Sequence, residues 1–115
     1  MARPPMRRSV EDIMQVMLRE GETEEFNQQR ANGEEINLHH ADLCSSDLRG
    51  LIADNLDLSH AKLRTADLRG IDFRTANLDG ANIQEAKISG AYFPHHLSAR
   101  DILLSLQHGI PLKSS

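Results

Sequence analysis

At 115 residues and with a formal net charge of −4, the chain is long enough for one small domain and too short for two. Only 3% of its residues are aromatic and it has no Trp, so its core must consist of aliphatic side chains. No apolar run approaches the roughly 20 residues of a membrane span, and a single cysteine excludes an internal disulfide framework. These features predict a cytoplasmic protein without a signal peptide.

The first 35 residues are predicted to form a leader followed by two helices. Residues 1–8 contain two prolines and three arginines, and we expect them to be disordered. After the candidate N-cap Ser9, one helical face is predicted to carry Val10, Ile13, Met14 and Met17. A second, shorter helix should begin at Thr23, with Phe26 as its only large apolar residue. Residues 9–35 are therefore interpreted as an N-terminal helical segment and cap.

A five-residue repeat runs without a break from residue 36 to residue 95. Its twelve blocks are INLHH, ADLCS, SDLRG, LIADN, LDLSH, AKLRT, ADLRG, IDFRT, ANLDG, ANIQE, AKISG and AYFPH. The third residue is large and apolar in every block except at Ala53, and only Ser46 places a hydroxyl at the first position. The fourth and fifth residues are mostly polar, small or glycine, which is the composition of turns.

A period of five matches neither the period of two of a strand nor the period of 3.6 of a helix. Two inward side chains in every five residues require a short extended piece followed by a corner. Four corners close a square, so the 60 residues should form three coils stacked about 4.8 Å apart. Residues twenty apart should then lie in columns, such as Leu43, Leu63 and Ile83. In another column, Ala53 should lie above Phe73 with less volume than its neighbours.

The blocks ADLCS, ADLRG, ANLDG and AKLRT resemble the repeat A-(D/N)-L-x-x of the pentapeptide-repeat family. The resemblance covers residues 36–95, about half of the chain. It implies an all-β solenoid, namely a right-handed quadrilateral β-helix of about three coils with α-helical caps at both ends. Many members of that family have no known activity, whereas a minority are DNA-shaped proteins that bind and protect type II topoisomerases.

Residues 96–115 are predicted to form a C-terminal capping helix and tail. Ser98 is a candidate N-cap, and Gly109 followed by Pro111 should end the helix. Four large apolar residues within five positions cannot all face one surface: Ile102, Leu103, Leu104 and Leu106. Some of them are therefore candidates for contact with a second copy of the chain, as the C-terminal elements make in relatives that dimerise.

Few residues suggest chemistry. The imidazoles of His39, His40 and His60 should share one face and could bind zinc or nickel, but polar corner residues are the favoured interpretation. The thiol of Cys44 could have a lowered pKa beside Arg64, although a solvated, unreactive thiol is favoured. We identify no catalytic residues, no cofactor site and no phosphate-binding loop, so the chain is predicted not to be an enzyme.

The sequence therefore predicts a non-enzymatic protein-interaction module or scaffold with an unidentified protein partner. It predicts no direct contact with nucleic acid or membrane, since residues 36–95 carry six basic and eight acidic residues. The candidate interaction surface lies on the terminal helices and comprises Ile13, Met14, Met17, Ile102, Leu103 and Leu106. The same helices could form a homodimer.

Two other functions remain open. The family resemblance implies, as an alternative, a DNA mimic that binds and protects DNA gyrase. Three coils would span only about 15 Å, and their balanced charge counts against this role. The other alternative is a structural solenoid with no dedicated ligand, which leaves the apolar terminal helices without an explanation.

Overall fold

The computed structural model describes residues 10–34 and 36–113, and three helices lie within these ranges. They are α1 (Val10–Arg19), α2 (Thr23–Ala31) and α3 (Ala99–His108). In α3, the Ser98 hydroxyl oxygen accepts a 3.0 Å hydrogen bond from the backbone N–H of Asp101, as predicted for an N-cap. Gly109 ends this helix in the left-handed conformation with a φ of 69°. The predicted leader and the N-cap predicted at Ser9 lie outside the described residues.

The prediction of an all-β solenoid is wrong. The described part of residues 36–95 contains no β-strand and no sheet, so the right-handed quadrilateral β-helix is not what this structure shows. Neighbouring segments meet instead at isolated parallel β-bridges, each one residue long. A strand requires consecutive bridged residues. In each five-residue block a corner follows the third residue, and it interrupts the pairing before a second bridge can form. The helices are therefore the only regular elements of the described chain.

The predicted spacing of twenty residues is nevertheless present. Each bridge joins two second-position residues twenty positions apart: Asn37–Asp57, Asp42–Lys62, Asp47–Asp67, Asp57–Asn77, Lys62–Asn82, Asp67–Lys87 and Asp72–Tyr92. We call residues 36–55, 56–75 and 76–95 levels one, two and three. The four successive blocks of each level are sides one to four, so that side four comprises residues 51–55, 71–75 and 91–95.

The second residue of the repeat shapes each corner. In eight blocks its side-chain oxygen accepts a hydrogen bond, at 2.8–3.2 Å, from the backbone N–H of the residue two positions later. The residues that accept are Asn37, Asp42, Asp47, Asp57, Asp67, Asp72, Asn77 and Asn82. An Asn or Asp side chain stabilises a turn in this way, which explains why these residue types recur at the second position.

The core is a single column of apolar side chains. The first and third residues of levels one and two are buried except Ile36, which is partly buried. In level three, four of them are only partly buried: Ala86, Ile88, Ala91 and Phe93. The aromatic rings of Phe73 and Phe93 stack with centroids 6.0 Å apart, as the predicted column requires. Phe26 of α2 is fully buried at the N-terminal end of this core, in agreement with its predicted role as an anchor.

Helix α2 is hydrogen-bonded to level one, and helix α3 to level three. Thr23, Asn27 and Arg30 of α2 form hydrogen bonds with backbone atoms of residues 49–54 in level one. At the other end, the Ser105 hydroxyl oxygen accepts a bond from the backbone N–H of Ile83 at 3.1 Å. These contacts satisfy backbone groups that would otherwise have no neighbouring level to pair with. None of the described helices combines the length and the apolar character required to cross a membrane.

Two leucines test the assignment of the core. Leu68 in level two is 0% exposed and Leu103 on α3 is 52% exposed. We expect Leu68→Ala to lower the free energy of unfolding by about 2–5 kcal/mol, because it leaves a cavity among packed neighbours. Leu103→Ala should change it by less than about 0.5 kcal/mol. Urea denaturation measures both variants, and similar losses for the two would contradict the assignment.

Candidate interaction surfaces

The predicted surface on α1 is only partly available to a partner. Ile13 is 44% exposed, whereas Met14 is 2% exposed and belongs to the core. Met17 is partly buried and packs against the same core. The face of α1 that packs inward contains Met14, Met17 and the fully buried Leu18, whereas Ile13 lies at its exposed edge. The exposed apolar surface of α1 is therefore Ile13 alone among the three predicted residues.

The predicted surface on α3 divides in the same way. Ile102 and Leu106 are partly buried against the core, and Leu103 is 52% exposed. Within the described chain, α1 contacts α2 and does not contact α3. Helix α2 is hydrogen-bonded to level one, whereas α3 is hydrogen-bonded to level three. Ile13 and Leu103 therefore belong to two separate surfaces.

The three predicted histidines do lie together. The rings of His40 and His60 stack with centroids 4.8 Å apart and an angle of 9° between their planes. The ring of His39 meets that of His40 edge-on at 4.4 Å. Partial burial lowers the pKa of His40, and the neighbouring imidazoles of His39 and His60 lower it further, against an opposing contribution from Asp57.

These histidines do not fit a metal centre. Among the residues that the structure describes, no group of three or more His, Cys, Asp or Glu side chains is arranged to hold a metal ion. The rings of His40 and His60 face one another instead of converging on a common point. Zinc or nickel binding, the less favoured interpretation of the sequence, therefore has no support from this geometry.

The environment of Cys44 argues against a reactive thiol. Burial raises the pKa of the thiol, and hydrogen bonding to Asp42 raises it further. The opposing contribution of Arg64 is smaller, so the lowered pKa considered from the sequence is not found. A thiol with a raised pKa carries less of the nucleophilic thiolate at neutral pH.

Arginines and aspartates are paired on the outer surface of sides three and four. The Arg49–Asp47, Arg69–Asp67 and Arg74–Asp72 pairs have nitrogen–oxygen distances of 2.7, 2.6 and 2.7 Å. Arg49 also lies 3.3 Å from Asp67 in the next level, so this carboxylate offsets the repulsion between Arg49 and Arg69. Hydrogen bonding to its arginine lowers the pKa of Asp67 to about 2, and the same holds for Asp72.

Side four departs from the other three sides. Seven of the eight pairs of second-position residues twenty apart are bridged, and within the described residues only Ile52 and Asp72 are not. A groove of about 440 Å³ opens there, lined by Gly50, Leu51, Ile52, Ala53, Asp54, Gly70 and Asp72. The small side chain of Ala53 was the sequence signal for missing volume at this position. The outward side chains of Ile52 and Tyr92 are 53% and 57% exposed.

Sequence reasoning did not assign Ile52 or Tyr92 to a functional surface. A signal was present, because every other second-position residue of the repeat is polar or charged. Ile52 and Tyr92 are forty residues apart in the sequence and appear isolated there. On side four they lie in one column, with Asp72 between them.

The repeat segment can now be classified. Residues 57–93 match the family model of the pentapeptide repeats in eight copies, so this segment is similar to that family. The resemblance inferred from the sequence is thereby confirmed over most of levels two and three. A comparison with curated proteins found no match. The match to this family is consistent with a non-enzymatic repeat protein.

Two glycines test the histidine column. Gly70 and Gly80 both have a positive φ, 76° and 77°, so an alanine at either position should cost about 1–2 kcal/mol of stability. A Cβ at Gly80 would also overlap the His60 ring, whereas nothing lies within 4 Å of one at Gly70. We expect Gly80→Ala to cost about 1 kcal/mol more than Gly70→Ala in thermal or urea denaturation, because the ring must leave its preferred position.

The His60→Ala background provides the control for this comparison. Without the imidazole ring, the two alanine variants should lose the same amount of stability. A difference that persists in this background, or equal costs in the unmodified protein, would show that His60 does not occupy the space above Gly80.

The lowered pKa of His40 predicts a pH dependence of stability. The folded state resists protonation of this imidazole, so the unfolded state binds the proton first as the pH falls below about 6.5. Stability should therefore fall between pH 7.5 and 5.5. We expect His40→Asn to reduce this fall, because Asn cannot be protonated and tolerates the left-handed conformation of residue 40. Urea denaturation at several pH values measures the effect, and parallel pH profiles for the two proteins would refute it.

Proposed function

We propose that the protein is a non-enzymatic interaction module that binds another protein through apolar side chains left exposed by its repeat and its helices. The observation that carries this proposal is the set of large apolar residues that remain 41–57% exposed. These residues are Ile13, Ile52, Tyr92, Leu103 and Ile110. Exposed apolar surface of this kind is typical of sites where proteins meet when several such residues lie close together.

The paired outer charges support a role without catalysis. Carboxylates held against arginines, such as Asp67 with Arg69, stay ionised and are occupied by their partners. General acid–base catalysis instead needs a group whose pKa lies near the working pH and which can reach a substrate. The match to the pentapeptide repeats points in the same direction.

The terminal helices offer two narrower surfaces than the sequence suggested. Ile13 represents the exposed part of α1 and Leu103 that of α3. Met14 lies in the core, and Ile102 and Leu106 are half-buried against it. We therefore attribute these three residues to folding and not to binding. A second copy of the chain is the other partner that Leu103 could contact. We place this activity in the cytoplasm, as the lone cysteine suggests.

The alternative of a DNA mimic that acts on a type II topoisomerase receives less support. A mimic needs a regular array of unpaired negative charge in place of phosphates. Three carboxylates of the outer surface, those of Asp47, Asp67 and Asp72, are instead neutralised by arginines on the same sides.

Charge substitutions on the helices test the role of their exposed residues. We expect Leu103→Glu and Ile13→Glu each to remove a distinct set of proteins from those captured by the unmodified chain, because a carboxylate cannot be buried in an apolar contact. Quantitative affinity capture with mass spectrometry measures this. Light scattering of the purified variants shows whether a second copy is among the lost partners.

The matched control is His108→Glu, which adds the same charge at an exposed residue of α3 that lies on a different face of the helix from Leu103. This variant should retain the partners that Leu103→Glu loses. Identical capture by all three variants and the unmodified chain would count against binding through the terminal helices.

A further inference from the structure

Side four differs from the other sides in its outward residues. Its second-position column contains Ile52, Asp72 and Tyr92, and two of these three are large apolar residues more than half exposed. The corresponding columns of the other sides contain only Asn, Asp and Lys. An exposed isoleucine in a turn-rich repeat gives up the turn-stabilising hydrogen bond that Asn or Asp would provide. Side four therefore loses local stability at Ile52 and gains apolar surface.

The structure also opens side four at this position. Ile52 and Asp72 are the unbridged pair, and the backbone N–H of Asn55 donates at 3.1 Å to the Thr75 hydroxyl instead of to a backbone carbonyl. Helix α2 binds the other edge of the same segment. Asn27 accepts a bond from the backbone N–H of Ile52, and Arg30 donates to the carbonyl oxygens of Ile52 and Asp54. The segment is therefore held by α2 without a bridge between Ile52 and level two.

Two grooves meet at this segment. The groove between levels one and two has a volume of about 440 Å³, and one of about 660 Å³ lies between α2 and level one. Ile52 and Asp54 line both of them. Together the grooves extend from Gly33 and Glu34, just beyond α2, to Gly70 in level two. This elongated outline fits an extended chain better than a compact ligand.

The charged residues that line the grooves indicate which charge a bound peptide would carry. Their lining contains three carboxylates, those of Glu34, Asp54 and Asp72, and one arginine. That arginine, Arg30, already donates to two backbone carbonyls. Asp72 is paired with Arg74, which also attracts Asp54 electrostatically, but no ion pair of the described residues involves Glu34 or Asp54. Three carboxylates against these two arginines leave an excess of negative charge, which favours a basic group and disfavours the phosphates of a nucleic acid.

We propose that side four binds an extended peptide segment of a partner protein that carries a large apolar side chain next to a lysine or an arginine. The apolar side chain packs against Ile52 where the grooves meet, and the basic side chain pairs with Asp54 or Glu34. This proposal rests on the proposed function and names its site and the chemistry of its partner. It adds a site on the repeat to the exposed surfaces of the terminal helices.

Selection from a phage library of random twelve-residue peptides against the full chain tests this. Enriched peptides should share a large apolar residue adjacent to Lys or Arg. A synthetic consensus peptide is then measured by fluorescence anisotropy. We expect Ile52→Asn to weaken its binding at least about tenfold through the loss of apolar contact. Asp54→Asn should weaken binding about two- to fivefold and reduce its dependence on salt.

The two variants are chosen so that folding does not confuse the result. Ile52→Asn restores the residue type that other blocks carry at their second position, so its melting temperature should not fall below that of the unmodified protein. Leu103→Glu, on the distant helix α3, should bind the peptide normally.

Every other outcome overturns the assignment to side four. If no peptide is enriched, or the enriched peptides lack a basic residue, the proposed ligand is wrong. Loss of binding in Leu103→Glu but not in Ile52→Asn moves the site to α3 and leaves the proposed function intact. If light scattering shows a dimer that Ile52→Asn dissociates, side four joins two copies of the chain instead of holding a peptide. The affinity-capture comparison judges the proposed function independently.

Discussion

Burial of the third-position side chains is the interaction on which the rest of the structure depends. Each of these side chains lies near the equivalent one twenty residues away, so every level covers the apolar surface of its neighbours. The chain has few aromatic residues and its described residues form no β-strand, so the core depends on these aliphatic columns. A stack of this kind cannot cover its own ends. The helices bonded to levels one and three follow from that need.

The corners determine what the outer surface can present. A corner every five residues uses the second-position side chain to hold the turn and places the fifth residue in the left-handed conformation in ten blocks, six of them with residues other than glycine. The left-handed conformation is costly for residues other than Gly and Asn, and burial of the neighbouring residues offsets that cost. Most polar groups are thereby committed to the backbone or to a neighbour on the same side.

Side four is where these rules are relaxed. Ile52 does not provide the turn-holding oxygen, Ala53 does not fill the core as a leucine would, and α2 bonds the segment from outside. Each change weakens the contact between levels one and two, and together they open a groove. Proteins commonly depart from their own local rules at functional sites. The same departure explains a structural irregularity and provides the candidate binding surface.

The sequence by itself determined the period, the inward residues of the repeat, the start of α2 and the N-cap of α3, because apolar spacing and capping chemistry act over a few residues. It also placed His40 over His60, since the spacing of twenty follows from the repeat. Tertiary structure alone decided that the paired segments are bridges instead of strands, that Met14 faces inward and that side four opens. The inward position of Met14 and the opening of side four depend on how α1 and α2 pack on the core and on level one, and no local pattern in the chain specifies how far those elements approach.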